Sequence, residues 1–149
     1  MVCRGGSLSL MPTKRVNITK AEYETLAALR YALRQFLRFS EEAASRAGLT
    51  PQQHQALLAI KGFPGRDRVA IGELAERLQL RHHSAVGLAD RLVSARLVAR
   101  EQNKVDRRQV YLVLTSRGEA VLEKLSAAHK EQLRRVAPQI ELLLERLRG

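Results

Sequence analysis

Two adjacent arginines lie in a short polar segment between two apolar runs in the second half of the chain. The runs are residues 97–99 and 110–114, and their β-branched and aromatic content around a polar tip is typical of a β-hairpin. The charged side chains of the tip are those of Lys104, Asp106, Arg107 and Arg108. A guanidinium on such a tip can enter a narrow DNA minor groove, where negative potential is concentrated. Phosphate would repel Asp106, so we expect its carboxylate to hold an arginine or the turn itself.

A second group of candidate DNA contacts lies on a helix that we predict over residues 82–95. Apolar side chains recur there at i, i+3, i+4 and i+7 and form the inward face, which consists of Ala85, Leu88, Ala89 and Leu92. Imidazole, hydroxyl and guanidinium groups can donate to base edges or phosphates, and a valine can contact a thymine methyl group. The candidate contacts on the outward face, at its margins and just before the helix are Arg81, His82, His83, Ser84, Val86, Gly87 and Arg91.

The residue types that enzymes and metal sites need are not assembled at useful spacings. His82 and His83 are neighbours on the helix and point about 100° apart, so they do not face one metal ion. The sequence has no glycine-rich phosphate loop, no nucleophile elbow and no spaced metal-ligand cluster. We therefore expect a protein that is not an enzyme and that binds neither a metal nor a cofactor.

The composition favours a polyanionic partner. The 149 residues include 26 Lys and Arg against 15 Asp and Glu, which gives a net charge of +11, and such a field favours nucleic acid. Aromatic residues make up only 4% and Trp is absent, which argues against a base-stacking platform for single strands. Double-stranded DNA is therefore the expected partner. No apolar run approaches the length of a membrane span, so we expect no membrane association and a cytoplasmic location.

The N-terminal segment carries the single cysteine, Cys3, and a second methionine, Met11. One cysteine excludes a Cys-rich zinc finger and an internal disulfide framework, and it fits a reducing compartment. Residues 1–11 lack the apolar core of a secretory signal. We expect either that Met11 is the native start or that residues 1–16 are a flexible tail.

Helices are predicted before the candidate contacts. Thr19 with Glu22, and again Thr50 with Gln53, have the spacing of a capping box, which marks the start of a helix. The first helix is long and amphipathic and ends near Gly48. The second is short, and its inward residues are Ala56, Leu57 and Ile60.

The remaining elements surround the predicted hairpin. Residues 69–71 either add a short strand or lead directly into a helix over residues 72–79. After the hairpin, Thr115 caps a helix that runs to about residue 136. Pro138 starts or kinks a final helix, because proline cannot supply a backbone N–H inside a helix.

This order indicates a mainly α protein with a small β-hairpin wing, in which a winged helix-turn-helix core is flanked by long terminal dimerisation helices. The predicted parts are an N-terminal tail (1–16), an N-terminal dimerisation helix (17–48), a winged helix-turn-helix DNA-binding domain (49–115) and C-terminal dimerisation helices (116–149). The terminal helices carry more apolar surface than so small a central domain needs. The residues expected between two copies of the chain are Leu26, Leu133, Val136, Ile140, Leu143 and Leu147, and packing within one chain is the alternative.

Residues 50–125 resemble the MarR family of winged-helix transcription regulators. LTPQQHQALLAI and IGELAERLQL resemble the first helices of the family's DNA-binding region, HHSAVGLADRL resembles its recognition helix, and VDRRQVYLVLTSRGEAVL resembles its wing and following helix. The resemblance implies a homodimer on a palindromic operator, with recognition helices in adjacent major grooves and wings in minor grooves. It also implies a regulator that is most often a repressor. By motif match, Asp106 supports an arginine that contacts DNA, and that arginine is Arg107 or Arg108.

The resemblance further implies a small aromatic effector, since many members release DNA on binding one, and a pocket between the dimerisation helices and the winged domain. The candidate lining residues are Phe36, Phe39, Ser40, His54 and Leu58, and ordinary core or interface packing is the alternative for each. Some members sense oxidants through a cysteine on the first long helix. Cys3 lies before that helix, so we do not expect this mechanism.

Four positions depart from the family pattern. Val86 and Gly87 stand where the recognition helix often carries polar or basic residues, and Gln79 and Arg96 replace glycines of the turn and of the segment before the wing. A glycine inside a helix costs about 1 kcal/mol relative to alanine, and Gly87 removes a side chain from the outward face. The operator sequence therefore does not follow from the resemblance.

The high charge also motivates a different function, that of a non-specific architectural DNA-binding protein. Such a protein would prefer no palindrome and would show a steep salt dependence on every duplex. A winged helix used only for protein contacts is a further alternative, which a dispensable basic wing would favour.

Overall fold

The structure, a computed structural model, describes residues 16–149. The expectations about the N-terminal tail, the start at Met11 and Cys3 lie outside the described residues. In chain order the elements are α1 (Lys20–Arg46), α2 (Pro51–Lys61), β1 (Arg68–Ala70), α3 (Ile71–Leu78), α4 (His82–Ser94), β2 (Val98–Gln102), β3 (Val110–Leu114) and α5 (Ser116–Arg148). This mainly helical order with a small antiparallel sheet confirms the predicted fold class.

Both predicted capping boxes form and start their helices. Thr19 Oγ1 accepts from the backbone N–H of Glu22 at 3.2 Å, and the Glu22 carboxylate accepts from the N–H of Thr19 at 2.7 Å. Thr50 and Gln53 make the same reciprocal pair at 3.1 and 3.0 Å. Each box satisfies backbone donors that the first turn of a helix leaves unpaired.

The three strands form an antiparallel sheet in the order β1-β3-β2. Leu112 of β3 is the central partner, opposite Val69 of β1 and Arg100 of β2. Both alternatives for residues 69–71 are therefore partly right, because β1 is a three-residue strand and α3 begins at the next residue, Ile71.

The core lies where α2, α4, the sheet and the start of α5 meet. Ala56, Leu57 and Ile60 of α2 are fully buried, as their spacing predicts. They pack in one cluster with side chains from the other elements, which include Val69, Leu74, Leu88, Leu92, Leu97, Leu112 and Leu122. This cluster supports α4 from behind and leaves its opposite face to solvent.

Gln79 and Arg96, which replace glycines of the family pattern, both adopt a left-handed backbone conformation, with φ of 54° and 59°. This conformation favours glycine because a Cβ crowds the neighbouring carbonyl oxygen. Gln79 ends α3, and its N–H donates to the carbonyl of Glu76 at 3.1 Å. The backbone requirement is thus retained although the glycines are not.

Of the two alternatives for Pro138, the start of a separate helix is wrong, because α5 runs as one helix from Ser116 to Arg148 with Pro138 inside it. A proline removes one backbone hydrogen bond, the one its own N–H would donate to the carbonyl four residues earlier. Pro138 is exposed, so its ring points to solvent, and α5 packs along α1. The other hydrogen bonds and this packing carry the helix past the proline.

Candidate nucleic-acid interface

Helix α4 has one buried face and one face open to solvent. Ala85, Leu88, Ala89 and Leu92 are at most 1% exposed, which confirms the predicted inward face. Of the candidate contacts, Arg81, His82, His83, Val86 and Arg91 are exposed, whereas Ser84 and Gly87 are half-buried. The structure therefore brings these candidates to the solvent side of a single helix.

Gly87 lies on this helix without a packing reason that requires glycine. A Cβ added there would lie 3.5 Å from Nη1 of Arg91, which is an ordinary van der Waals distance. The flexible Arg91 side chain can also move away. An alanine would therefore fit within the chain, and the backbone at Gly87 is open to contact by a partner molecule.

The wing tip between β2 and β3 is closed by backbone hydrogen bonds. The N–H of Asn103 donates to the carbonyl of Gln109 at 2.9 Å, and the N–H of Gln109 donates to the carbonyl of Asp106 at 3.0 Å. Gln102 Nε2 also donates to the carbonyl of Arg107 at 2.9 Å. The tip therefore has a defined backbone before it meets any partner.

Two side chains of the tip hold its turns. Asn103 Oδ1 accepts from the N–H of Val105 at 2.9 Å, and Asp106 Oδ1 accepts from the N–H of Arg108 at 3.1 Å. Asparagine and aspartate commonly form such local turns. Of the two roles expected for Asp106, the structure supports the one that holds the turn.

The cationic side chains of the tip project away from the protein. Lys104, Arg107 and Arg108 are exposed, and the ion pairs among residues 16–149 involve none of them. Residues 66–108, which include α3, α4 and the wing, contain ten Lys and Arg against six Asp and Glu. The candidate surface therefore carries free positive charge, which suits an anionic partner.

Two ion pairs near the interface were not predicted from the sequence. Arg100 of β2 pairs with Asp90 on the outward side of α4, and Arg68 of β1 pairs with Glu101 of β2 at 3.3 Å. The first pair ties the wing to α4 and neutralises a carboxylate that would repel phosphate. No sequence pattern indicates this pair, because it depends on where the sheet packs against α4.

Four of the five candidate pocket residues gather around His129 of α5, which the sequence interpretation missed. The ring centroid of His129 lies 5.9 Å from that of Phe36, 5.5 Å from that of Phe39 and 4.8 Å from that of His54. Its Nε2 is 2.7 Å from Ser40 Oγ. His129 follows Leu122 and Leu125 at the spacing of one helix face, and this pattern could have revealed it.

The fifth pocket candidate, Leu58, is 50% exposed, and its place in the pocket stays a prediction. The buried face of α2 passes through His54 and Leu57, and Leu58 lies beyond its margin. Burial lowers the pKa of His54, and the charge of His129 lowers it further.

The predicted dimer residues separate into three groups. Leu26, Leu133 and Leu147 are exposed, and Val136 and Ile140 are half-buried. Leu143 is only 5% exposed, so its placement at an intermolecular surface is wrong. It lies one turn from Ile140 but faces α1, where it lines a groove with Thr25 and Ala28. The prediction missed exposed apolar residues on both helices, namely Tyr23, Leu33, Leu37 and Leu144.

None of the helices within residues 16–149 combines the length and the apolar character needed to cross a bilayer.

Helices α3 and α4, joined by a tight turn and followed by a hairpin, define a winged helix-turn-helix. Residues 47–109, which include α3, α4 and β2, match the model of the MarR family. This match covers less than half of the chain and confirms the resemblance expected from the helix and wing motifs.

A curated repressor is also similar in sequence to this chain. Over 89 residues the chain is 33% identical to the HTH-type transcriptional repressor MdtR of Bacillus subtilis (strain 168). The matched segment covers 60% of this chain and 56% of MdtR, so the chain spans somewhat more than half the length of this curated relative.

Solved structures share the fold at low sequence identity. A MarR family protein from Bacillus stearothermophilus has a TM-score of 0.72 at 22% identity, over 89% of this chain and 94% of that chain. A MepR mutant from S. aureus bound to an oligodeoxyribonucleotide has a TM-score of 0.63 at 19% identity, over 89% of this chain and 92% of that chain. These likenesses establish the architecture.

Proposed function

We propose that this protein is a dimeric, sequence-specific DNA-binding transcription regulator that acts as a repressor on a palindromic operator. The observation that carries the proposal is the wing tip, whose Arg107 and Arg108 are held on a pre-formed turn and have no carboxylate partner among residues 16–149. Such cations are available to phosphates and to a narrow minor groove. The Arg100–Asp90 ion pair joins β2 of the same hairpin to the outward side of α4, which supports a two-part contact with DNA.

The two parts of this surface suit different grooves. The exposed face of α4 is a convex helix surface, which fits the wide major groove, where base edges are distinguishable. His82 and His83 stand at its N-terminal end, where recognition helices commonly contact bases. The exposed wing arginines suit a narrow minor groove instead.

A second copy of the chain is the proposed partner of the terminal helices. The exposed leucines include Leu26, Leu33 and Leu37 on α1 and Leu133, Leu144 and Leu147 on α5, each at least 37% exposed. The spacing of the α5 residues places them along one side of the helix. Joining two copies through these helices would present two α4 faces, which a palindromic site needs at about one helical turn apart.

We propose that a small aromatic effector acts at the joint of α1, α2 and α5. Phe36, Phe39 and His129 are ring-bearing side chains between the helices of the proposed dimer and α2 of the winged domain. A ligand there would release DNA only if it bound the released conformation more tightly than the DNA-bound one. Thermal stabilisation by a panel of phenolic acids would test this, and Phe36→Ala should reduce the shift.

The function is tested by selecting bound sequences from a random duplex pool at physiological salt. We expect recovery of a palindrome whose half-sites lie about one helical turn apart. The Arg107→Ala/Arg108→Ala double variant serves as the control, because it should recover little or no enriched motif. Recovery of no motif by the natural protein would contradict the proposed specificity.

The net charge of +11 favours one alternative, a non-specific architectural DNA-binding protein. The two functions differ in salt dependence measured on the selected palindrome and on a scrambled duplex. A specific regulator should bind the palindrome 10³-fold or more tightly at physiological salt, within the range of about 10³ to 10⁷ common for such proteins. Equal affinities with the same steep salt slope would support the architectural function.

A further inference from the structure

Two buried histidines meet at the joint of α1, α2 and α5, away from the proposed DNA surface. His54 of α2 is 5% exposed and His129 of α5 is 9% exposed. Their ring centroids lie 4.8 Å apart, with a tilt of 38° between the planes. Neither imidazole is needed for the contacts proposed for α4 or the wing, so this pair calls for a separate explanation.

A hydrogen bond defines one proton position on His129. Its Nδ1 lies 2.5 Å from the carbonyl oxygen of Leu125, and because a carbonyl only accepts, Nδ1 must donate. Its Nε2 lies 2.7 Å from Ser40 Oγ, and this hydroxyl can donate to a neutral ring or accept from a protonated one. Both nitrogens are engaged, and the aromatic edges of Phe36 and Phe39 pack against the ring.

His54 has no group beside it that would stabilise a positive charge. The groups that face it are His129 from α5 and, around that ring, Ser40, Phe36 and Phe39 from α1. Among residues 16–149 its ring makes no ion pair and no hydrogen bond. Burial and the charge of His129 are what lower its pKa, and no carboxylate opposes them.

The charged side chains on these helices lie at the surface: Glu41 and Lys130, which follow Ser40 and His129 in the chain, are exposed, and others form exposed ion pairs. Glu42 on α1 bridges Arg38 at 3.0 Å and Arg46 at 4.0 Å. Lys61, at the far end of α2, pairs with Glu119 of α5 at 2.8 Å. A proton on His54 would therefore place an imidazolium in an apolar joint, next to a second imidazole.

We propose that the His54–His129 pair is a proton-operated switch between the dimerisation helices and the winged domain. Acidification charges His54, the two rings separate, and α2 moves relative to α1 and α5. Since α2 is the first helix of the winged domain, its movement changes the distance between the two α4 faces of a dimer. The effect on DNA rests on the proposed function, whereas the opening of the joint does not.

The direction follows from the lowered pKa of His54. The packed joint favours the neutral ring of His54. The joint therefore has its full stability above the ordinary histidine pKa of about 6.5. This stability is lost progressively as the pH falls from there toward the lowered pKa of His54. If the pKa of His54 differs by one between the packed and the opened states, the ratio of these two states changes by up to about tenfold.

The first experiment uses the free protein and requires no variant. The chain has four histidines, and assigned ring resonances can be followed in an NMR titration from pH 8 to pH 4.5. We expect His54 to titrate below the ordinary histidine pKa of about 6.5, with line broadening or shifts at His129 in the same step. Titration of His54 at or above that ordinary value would overturn the switch.

Hydrogen exchange then tests whether the joint opens. At each pH the amides of α2 and of the α5 segment around His129 are compared between the natural protein and His54→Phe, so that the intrinsic pH dependence cancels. We expect protection in the natural protein to fall about tenfold more by pH 5.5 than in the variant. His83→Asn is the matched control and should behave like the natural protein. Equal loss in all three proteins would overturn the proposal.

The coupling to DNA is measured on the selected duplex at constant ionic strength. Between pH 7.5 and 5.5 we expect operator affinity of the natural protein to fall about tenfold relative to His54→Phe. The α4 surface and the wing are identical in the two proteins, so any effect of pH on them cancels. If the joint opens but the relative operator affinity is unchanged, the coupling to DNA is overturned. If no duplex is selected, the proposed function is rejected. The NMR and exchange results then still decide whether the switch exists.

Discussion

Asp106 occupies a position in the wing where its charge alone would be unfavourable for DNA binding. Its Oδ1 accepts the N–H of Arg108 at 3.1 Å, and its carbonyl accepts the N–H of Gln109 at 3.0 Å. The carboxylate therefore shapes the turn from which Arg107 and Arg108 project. The proposed function therefore depends on a division of roles within the tip: Asp106 holds the turn, and Arg107 and Arg108 are left to contact DNA.

Arg107→Ala and Arg108→Ala should each weaken operator binding tenfold or more. Both side chains are exposed and unpaired within residues 16–149, so their loss removes contacts with DNA and costs the fold little. Titration of each variant on the selected duplex, together with its thermal unfolding, measures the two effects. Arg148→Ala, at the end of α5, is the control. Unchanged operator affinity in both wing variants would reject the assignment of the wing.

Gly87→Ala should separate stability from DNA binding on α4. The added Cβ would meet only Arg91 Nη1 at 3.5 Å, so the free energy of unfolding should rise by up to about 1 kcal/mol through helix propensity. Operator affinity should fall about tenfold if DNA approaches the bare backbone there, a loss of about 1.4 kcal/mol. Urea unfolding and operator titration check the two parts. An unchanged affinity would remove Gly87 from the contact surface.

At the scale of elements, the hairpin and α5 are joined through a few backbone contacts. Thr115 Oγ1 donates to the carbonyl of Arg96 at 2.6 Å and accepts from the N–H of Gly118 at 3.1 Å, so one hydroxyl caps α5 and binds it to the segment before β2. Gly118 then passes directly against the backbone of Leu97. The wing is therefore attached to the helix that runs along α1.

Gly118→Ala should destabilise this junction. A Cβ at Gly118 would collide with the carbonyl oxygen of Leu97, and backbone atoms cannot move aside as a flexible side chain can. We expect a loss of about 1–3 kcal/mol in the free energy of unfolding. Gly72→Ala is the matched control, because nothing lies within 4 Å of its added Cβ. Equal stability of the two variants in urea would contradict the close approach.

At the scale of the whole molecule, the two long helices leave apolar side chains uncovered on the side away from the winged domain's core. Leu26 and Leu37 of α1 are 43% and 54% exposed, and Leu133 of α5 is 43% exposed. Exposed apolar residues in a continuous row commonly mark an interaction surface. A second copy of the chain is the proposed partner of these residues, and a dimer would also suit the proposed palindromic site.

Leu133→Glu/Leu147→Glu should convert the proposed dimer into a monomer. Two carboxylates would be buried without partners at the interface, whereas both positions are exposed in the single chain, so the fold should persist. Analytical ultracentrifugation should show the mass fall to that of one chain, 16.7 kDa. Leu58→Glu, at a 50% exposed leucine of α2, is the control and should stay dimeric. A natural protein that sediments as a monomer would reject the dimer itself.

Short-range patterns in the sequence predicted most of the elements and their buried faces. The capping boxes at Thr19 and Thr50, the inward face of α4 and the polar tip of the hairpin are all encoded by residues within a few positions of one another. Local hydrogen bonds and helical or strand periodicity act over that range, so they can be recognised in the amino-acid sequence. The outward position of the α4 candidates follows from the same periodicity.

Contacts between residues far apart in the chain could not be predicted from these patterns and became apparent in the folded protein. Ser40 and His129 are 89 positions apart, Asp90 and Arg100 meet through the packing of the sheet on α4, and Leu143 turns toward α1 instead of a second copy. The continuation of α5 past Pro138 likewise depends on a neighbouring helix. Periodicity says which side of a helix is apolar, but the partner of that side is set by the relative placement of whole elements.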